Sequence, residues 1–126
     1  MTPTPYERLG GEPAVRVLAQ RFYQLMDQLA DAAEIRAMHA RNLKASEEKL
    51  FLFLSGWLGG PPLYMEKYGH PRLRQRHMPF PIDDGARDQW MLCMRRAMVD
   101  AGVEDGLRRE LEAAFFQVAD FMRNRE

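Results

Sequence analysis

The sequence has a single cysteine, Cys93, and no net charge, with 18 lysines and arginines against 18 aspartates and glutamates over 126 residues. One thiol can close no internal bridge. That excludes a disulfide scaffold and a four-cysteine zinc site and fits a reducing compartment. The zero sum removes the strongest reason to expect a general binder of nucleic acid or of anionic membrane. β-Branched residues are scarce, with two Thr, five Val and two Ile, so little argues for strands. No apolar run approaches a bilayer span; Leu50-Phe51-Leu52-Phe53-Leu54 is typical. The first residues also lack the basic and apolar blocks of a secretory leader. The expectation is one cytoplasmic domain over residues 1–126, long enough to bury about two-thirds of its unfolded surface.

Proline is missing from two long stretches. All eight prolines lie within 3–13 or 61–81, which leaves 14–60 and 82–126 open to helix, since an interior proline costs a helix about 3 kcal/mol. Val15, Leu18, Ala19, Phe22, Met26 and Leu29 recur at three- and four-residue intervals, with Tyr23 beside the stripe. The pattern breaks near Asp31 and resumes over 46–58, where Ser46 with Glu47 and Glu48 resembles a capped start. Leu50, Phe53, Leu54 and Trp57 are its expected inner face, and Gly59-Gly60-Pro61 its stop. Asp83 or Asp84 is placed to cap a helix carrying Trp90, Cys93, Met94, Ala97 and Ala101 on one face. A last helix carries Leu107, Leu111, Phe115, Val118 and Met122. The prediction is an all-α fold of five or six helices.

Between these blocks lies Gly69-His70-Pro71-Arg72-Leu73-Arg74-Gln75-Arg76-His77-Met78-Pro79-Phe80-Pro81. Pro71 suits the first position of a short helix, and Pro79 stops it within about two turns. His77 then projects from the last turn, with Leu73 one turn earlier on the same face. Lys67, Arg72, Arg74 and Arg76 give four positive charges with no acid from 67 to 82. The charge balance is therefore uneven: removing those four from 18 bases leaves 14 against 18 acids elsewhere. By residue chemistry alone, a histidine ending a helix is more often satisfied by the last carbonyls than a ligand. No second His, Cys or carboxylate stands at metal spacing. A lone imidazole at an apolar edge beside cations suits haem, whose iron takes an axial histidine and whose propionates take arginine.

Trp57-Leu58-Gly59-Gly60-Pro61-Pro62-Leu63-Tyr64, then Gly69-His70-Pro71-Arg72-Leu73-Arg74 through Arg76-His77-Met78-Pro79-Phe80, then Asp88-Gln89-Trp90 with Cys93-Met94, together resemble the group II truncated haemoglobins. Phe22-Tyr23 and the Gly10-Gly11 turn match as well, so the resemblance spans nearly the whole chain. It implies a shortened globin with helices stacked two over two around haem b. It implies His77 as the iron ligand, its other nitrogen donating to a backbone carbonyl. Arg76 is then the first candidate for a propionate, with Lys67 and Tyr64 as further candidates. Tyr23, Trp90 and His39 match three distal positions able to donate to a bound diatomic. Ser46 falls where an ordinary globin carries its distal histidine. Leu50, Phe53 and Leu54 match pocket-lining positions, and Leu73, Met78, Phe80 and Ile82 the proximal side.

Each of these residues also has a plain structural reading. Tyr23 and Trp90 lie near apolar stripes and are more often core than ligand contacts, and Trp57 is read as core. His39 lies in a loop, and a one-residue shift brings Met38 to the pocket in its place. Cys93 and the nine methionines are soft core filler. The resemblance implies reversible O2 binding and, with two donors slowing release, redox chemistry on reactive oxygen or nitrogen species, such as NO dioxygenation or a peroxidase-like reaction. No flavin or nicotinamide module fits this length, so turnover requires an external reductase. Two alternatives remain: a haem-based oxygen or redox sensor, and a haem-free helical module whose arginine segment binds an acidic partner. Monomer and homodimer are both open.

Overall fold

The structure, a computed structural model, describes residues 2–125. Among them are eight α-helices: α1 Pro5–Leu9, α2 Glu12–Gln28, α3 Ala33–Ala37, α4 Lys44–Trp57, α5 Leu63–Tyr68, α6 Leu73–His77, α7 Asp84–Asp100 and α8 Asp105–Phe121. A single 3₁₀ turn, Ala30–Ala32, leads into α3. The count exceeds five or six because three further short helices form, α1 and α5 beside prolines and α3 where the pattern breaks near Asp31. α1 is an example: Thr4 accepts from Glu7 N–H, and Glu7 reaches back to the Thr4 amide, closing a capping box with Pro5 at the first helical position.

The four long helices make the architecture. α2 packs on both α4 and α7, and α7 packs on α8, which gives a two-over-two arrangement. Val15, Leu18, Ala19, Phe22 and Met26 of α2 are buried as the spacing predicts, joined by Leu25, while Leu29, just past the helix, is half-buried. Met91, Cys93, Met94, Ala97 and Met98 of α7 meet it, and Leu107, Leu111, Phe115 and Ala119 of α8 close the far side. Ala101 ends α7 and is exposed, and Val118 is half-buried, so the buried face of α8 turns slightly toward Ala119. No helix among the described residues is long and apolar enough to cross a membrane.

α4 departs from its predicted register in two ways. It starts at Lys44, and the Asn42 side chain accepts the Lys44 amide at 2.9 Å, so Ser46 is inside the helix and caps nothing. Its core face is Phe51, Leu54, Ser55 and Leu58, while Leu50, Phe53 and Trp57 stay half-buried. Only Leu54 of the expected inner face is in the core. α4 is thus apolar on two sides, and periodicity alone cannot say which side the core takes. After α4 the chain turns through Gly59, at φ +96, and Gly60, where a Cβ would overlap the Tyr6 ring. The buried Ser55 hydroxyl secures the turn by donating to the Pro61 carbonyl at 2.7 Å.

α6 begins at Leu73, not at Pro71. Arg72 precedes it in the left-handed region, at φ 48 and ψ 53, which is uncommon for a residue with a side chain. Pro79 and Pro81 keep the chain irregular up to Asp83, which accepts the Ala86 amide at 2.8 Å and caps α7.

Candidate functional site

His77 is the last residue of α6, and its ring nitrogen Nδ1 lies 2.6 Å from the Leu73 carbonyl one turn back. A carbonyl only accepts, so Nδ1 carries the proton and, in the neutral ring, Nε2 keeps its lone pair. No group among the described residues bonds Nε2. This is the state that a metal-ligating imidazole adopts, with one nitrogen oriented by a backbone carbonyl and the other open. The short helix creates it, because residues four apart in a helix lie on one face.

Around this segment a cavity of about 740 Å³ opens between α4, the 70–75 stretch and α8. Its apolar wall includes Phe53, Trp57, Leu73, Val118 and Met122, with Arg72 at its edge. Phe53 and Leu73 are predicted site residues; Trp57 was expected in the core. Its indole packs against the core, stacked on Phe115 with centroids 4.5 Å apart and planes 19° apart, but stays partly exposed on its other side. Leu50, Phe53 and Trp57 share the second apolar face of α4, at i, i+3 and i+7, and that spacing was the available signal. His77, Tyr23, His39 and Trp90 are not on the wall of this cavity.

Tyr23, His39 and Trp90 come together through Phe22. The Tyr23 ring meets Phe22 edge-on at 4.9 Å, Phe22 meets Trp90 at 5.2 Å, and His39 meets Tyr23 edge-on at 5.7 Å. The Tyr23 side chain is largely buried, but its hydroxyl is not a buried orphan: it reaches open space and makes no hydrogen bond among the described residues. Burial pushes its phenol well above the usual range, and the Glu47 carboxylate adds to this, so the O–H keeps its proton. Of the two loop candidates, His39 is the one beside Tyr23, while Met38 packs on the core cluster. The His39 ring is pinned as His77 is, with Nδ1 2.7 Å from the Ile35 carbonyl. Neutral His39 therefore offers an acceptor at Nε2; only the protonated ring has a second donor.

The remaining predicted residues are dispersed. Leu54 is fully buried and exposes nothing to a crevice. Ser46, Leu50 and Ile82 are half-buried, and Met78 and Phe80 are 45% and 40% exposed. Tyr64 is buried against Tyr68, and the Lys67 ammonium lies 5.4 Å above the Tyr68 ring. Among the arginines, Arg76 Nε donates to the Pro71 carbonyl at 2.8 Å. Arg74 donates to the Phe121 and Arg123 carbonyls at 3.1 and 3.3 Å, so part of the cationic run caps the end of α8. No cluster of three or more His, Cys, Asp or Glu able to hold a metal occurs among the described residues, so a single-histidine site is the one offered.

A two-over-two helical fold with a pinned, open histidine on a short helix beside an apolar crevice defines a globin. Comparison with known proteins carries this further. The family model for bacterial-like globins matches residues 4–124. The group 2 truncated hemoglobin YjbI of Bacillus subtilis (strain 168) is 39% identical over 107 residues, covering 85% of this chain and 78% of that protein. The group II 2-on-2 hemoglobin of Agrobacterium tumefaciens superposes with a TM-score of 0.95 at 48% identity, covering 99% of this chain and 97% of that one. The cold-adapted truncated hemoglobin of Pseudoalteromonas haloplanktis TAC125 superposes with a TM-score of 0.95 at 45% identity, covering 98% and 100%. The chain belongs to the bacterial-like globin family, on its group II truncated haemoglobin branch. The family implies a haem cofactor.

Proposed function

We propose that this chain holds haem b between α4 and α6 with His77 as the axial ligand, and that it binds O2 reversibly. The observation that carries the reading is the Nδ1–H of His77 donating to the Leu73 carbonyl at 2.6 Å, which leaves Nε2 without a protein partner. Leu50, Phe53, Leu73 and Ile82, half-buried and apolar, fit the faces of a flat macrocycle. Arg76, whose terminal nitrogens carry no bond among the described residues, fits a propionate.

When bound, haem supplies an iron that accepts a further small ligand and can exchange an electron. The residues of the chain supply the rest. The Tyr23 hydroxyl and the Trp90 indole N–H make no hydrogen bond among the described residues and are not buried orphans, so both can donate to a diatomic that gains negative charge. Each such bond is worth about 1.5–3 kcal/mol, which slows release. Slow release suits a protein that retains O2 or peroxide for redox chemistry, NO dioxygenation or a peroxidase-like reaction, with an external reductase as partner. An absorption spectrum of the purified protein in ferric, ferrous and oxygenated states tests the reading. A Soret band that shifts with each state supports it; a colourless protein that takes up no hemin overturns it and favours the haem-free module.

A further inference from the structure

The segment after α6, His77 to Ile82, contains two prolines, Pro79 and Pro81, which contribute no N–H and prevent a regular ladder. Its backbone polar groups must find partners elsewhere. They find them in the stretch that follows α8, forty or more residues away in sequence. The Asn124 side-chain amide donates to the Phe80 carbonyl at 2.9 Å and to the His77 carbonyl at 3.3 Å. Its Oδ1 accepts the Ile82 amide at 2.9 Å. The Asn124 and Arg125 amides both donate to the Ile82 carbonyl, at 2.9 and 3.1 Å. The orientation of the Asn124 amide is unambiguous, since two carbonyls face its nitrogen and an N–H faces its oxygen. Arg74 completes the tie from the other side of His77 through the Phe121 and Arg123 carbonyls.

The stretch that makes these bonds is itself anchored to α7. Arg123 bonds Asp120 at 2.6 Å and Asp84 at 3.0 Å, and Arg87 bonds Asp120 at 2.8 Å. The short helix bearing His77 is thus held from both ends against a fixed point.

We infer that Asn124 is a positioning residue for His77: its amide closes the His77–Ile82 segment onto the end of α8 and so sets the angle at which the imidazole meets an axially bound metal. This rests on the haem reading of the site. Asn124 makes no hydrogen bond to the imidazole and does not line the crevice; it acts through backbone groups of His77, Phe80 and Ile82.

The substitution Asn124→Asp removes the two donated bonds and keeps the acceptor for Ile82, while Asn124→Ala removes all three. With the full chain loaded with hemin, both variants are expected to lose hemin to excess apomyoglobin about tenfold faster than the parent, with Asp no slower than half-way to Ala. In the ferrous, ligand-free state the iron–histidine stretching band should shift or broaden. Met98→Ala, a core truncation in α7, destabilises without touching this segment and should leave that band in place. Hemin loss and the iron–histidine band unchanged in both Asn124 variants would overturn the inference, as would a loss rate that rises while the band stays put. Hydrogen exchange on the unsubstituted protein gives a check that needs no variant: the Ile82 amide should exchange as slowly as those within α8, and exchange at the rate of an open loop counts against the clamp. If the parent takes up no hemin, the haem reading fails first and this inference with it; a parent that binds hemin beside indifferent variants isolates the failure to Asn124.

Discussion

His77 and Leu73 are joined by a 2.6 Å hydrogen bond from ring to backbone, across one turn of a five-residue helix. The bond fixes the ring's tautomer and leaves Nε2 as its only open nitrogen. His77→Ala should therefore abolish stable hemin retention while leaving the helical fold, because His77 is not part of the buried core. Absorbance of the hemin-loaded protein after gel filtration checks this, and a retained Soret band would remove His77 from its role.

Tyr23 separates function from stability. Its hydroxyl makes no hydrogen bond among the described residues and is not a buried orphan, so Tyr23→Phe deletes no described partner and should change unfolding free energy by only about 0.5 kcal/mol. The same variant should speed oxygen dissociation from the ferrous hemin-loaded protein by roughly tenfold, and Trp90→Phe by a similar factor. Stopped-flow dissociation beside a urea titration reads both. A large stability loss with an unchanged off-rate would leave Tyr23 with a packing role and none at the bound ligand.

Cys93 governs part of the alkaline limb. Burial pushes its thiol up to about 11 from 9.0, with Arg96 opposing the shift weakly. The native chain then holds this proton at pH values where the unfolded chain has released it. The contribution is fully present below pH 9.0 and is lost as pH rises toward about 11. Cys93→Ala should lower stability at neutral pH through the cavity it leaves, yet give a shallower decline over that window. Urea midpoints of the two proteins from pH 8 to 11, at about half-unit steps, isolate the difference; parallel curves would exclude the thiol.

Arg72 carries backbone strain at the entrance to α6, at φ 48. Arg72→Gly relieves it, and the gain, about 1 kcal/mol or less once the extra freedom of glycine in the unfolded chain is included, should appear as a higher urea midpoint. The variant also removes a cation from the cavity edge. If Arg76 alone serves the carboxylates, hemin affinity should be nearly unchanged; a clear loss would assign part of that task to Arg72.

Much of this molecule is local and was legible as such. The stripe in α2, the stop at Gly59-Gly60-Pro61, the Asp83 cap and the position of His77 at a helix end all follow from residues a few places apart. So does the bond from His77 to Leu73, since four-residue spacing is an intrinsic property of a helix. The start of α4 lies two residues ahead of Ser46 because the Asn42 side chain accepts the Lys44 amide there, which leaves Ser46 inside the helix. Trp57 packs on the core as expected but also lines the crevice. An apolar residue on a helix with two apolar faces can belong to either, and the choice is made by whatever packs there.

The sequence by itself determined where helices can exist and where they must break, because propensity, capping and proline geometry act over a few residues. It also determined that one imidazole would stand at the end of a short helix with a carbonyl four residues behind it. Tertiary structure alone decided which face of α4 the core would take, that Tyr23 would lie beside His39, that Arg74 would be spent on carbonyls at and just after the end of α8, and that Asn124 would close the His77 segment. Those side-chain contacts join residues that are 16 to 49 positions apart in the chain. No periodicity encodes such pairs; they arise only when packing brings one segment's unsatisfied backbone groups to another segment's donors.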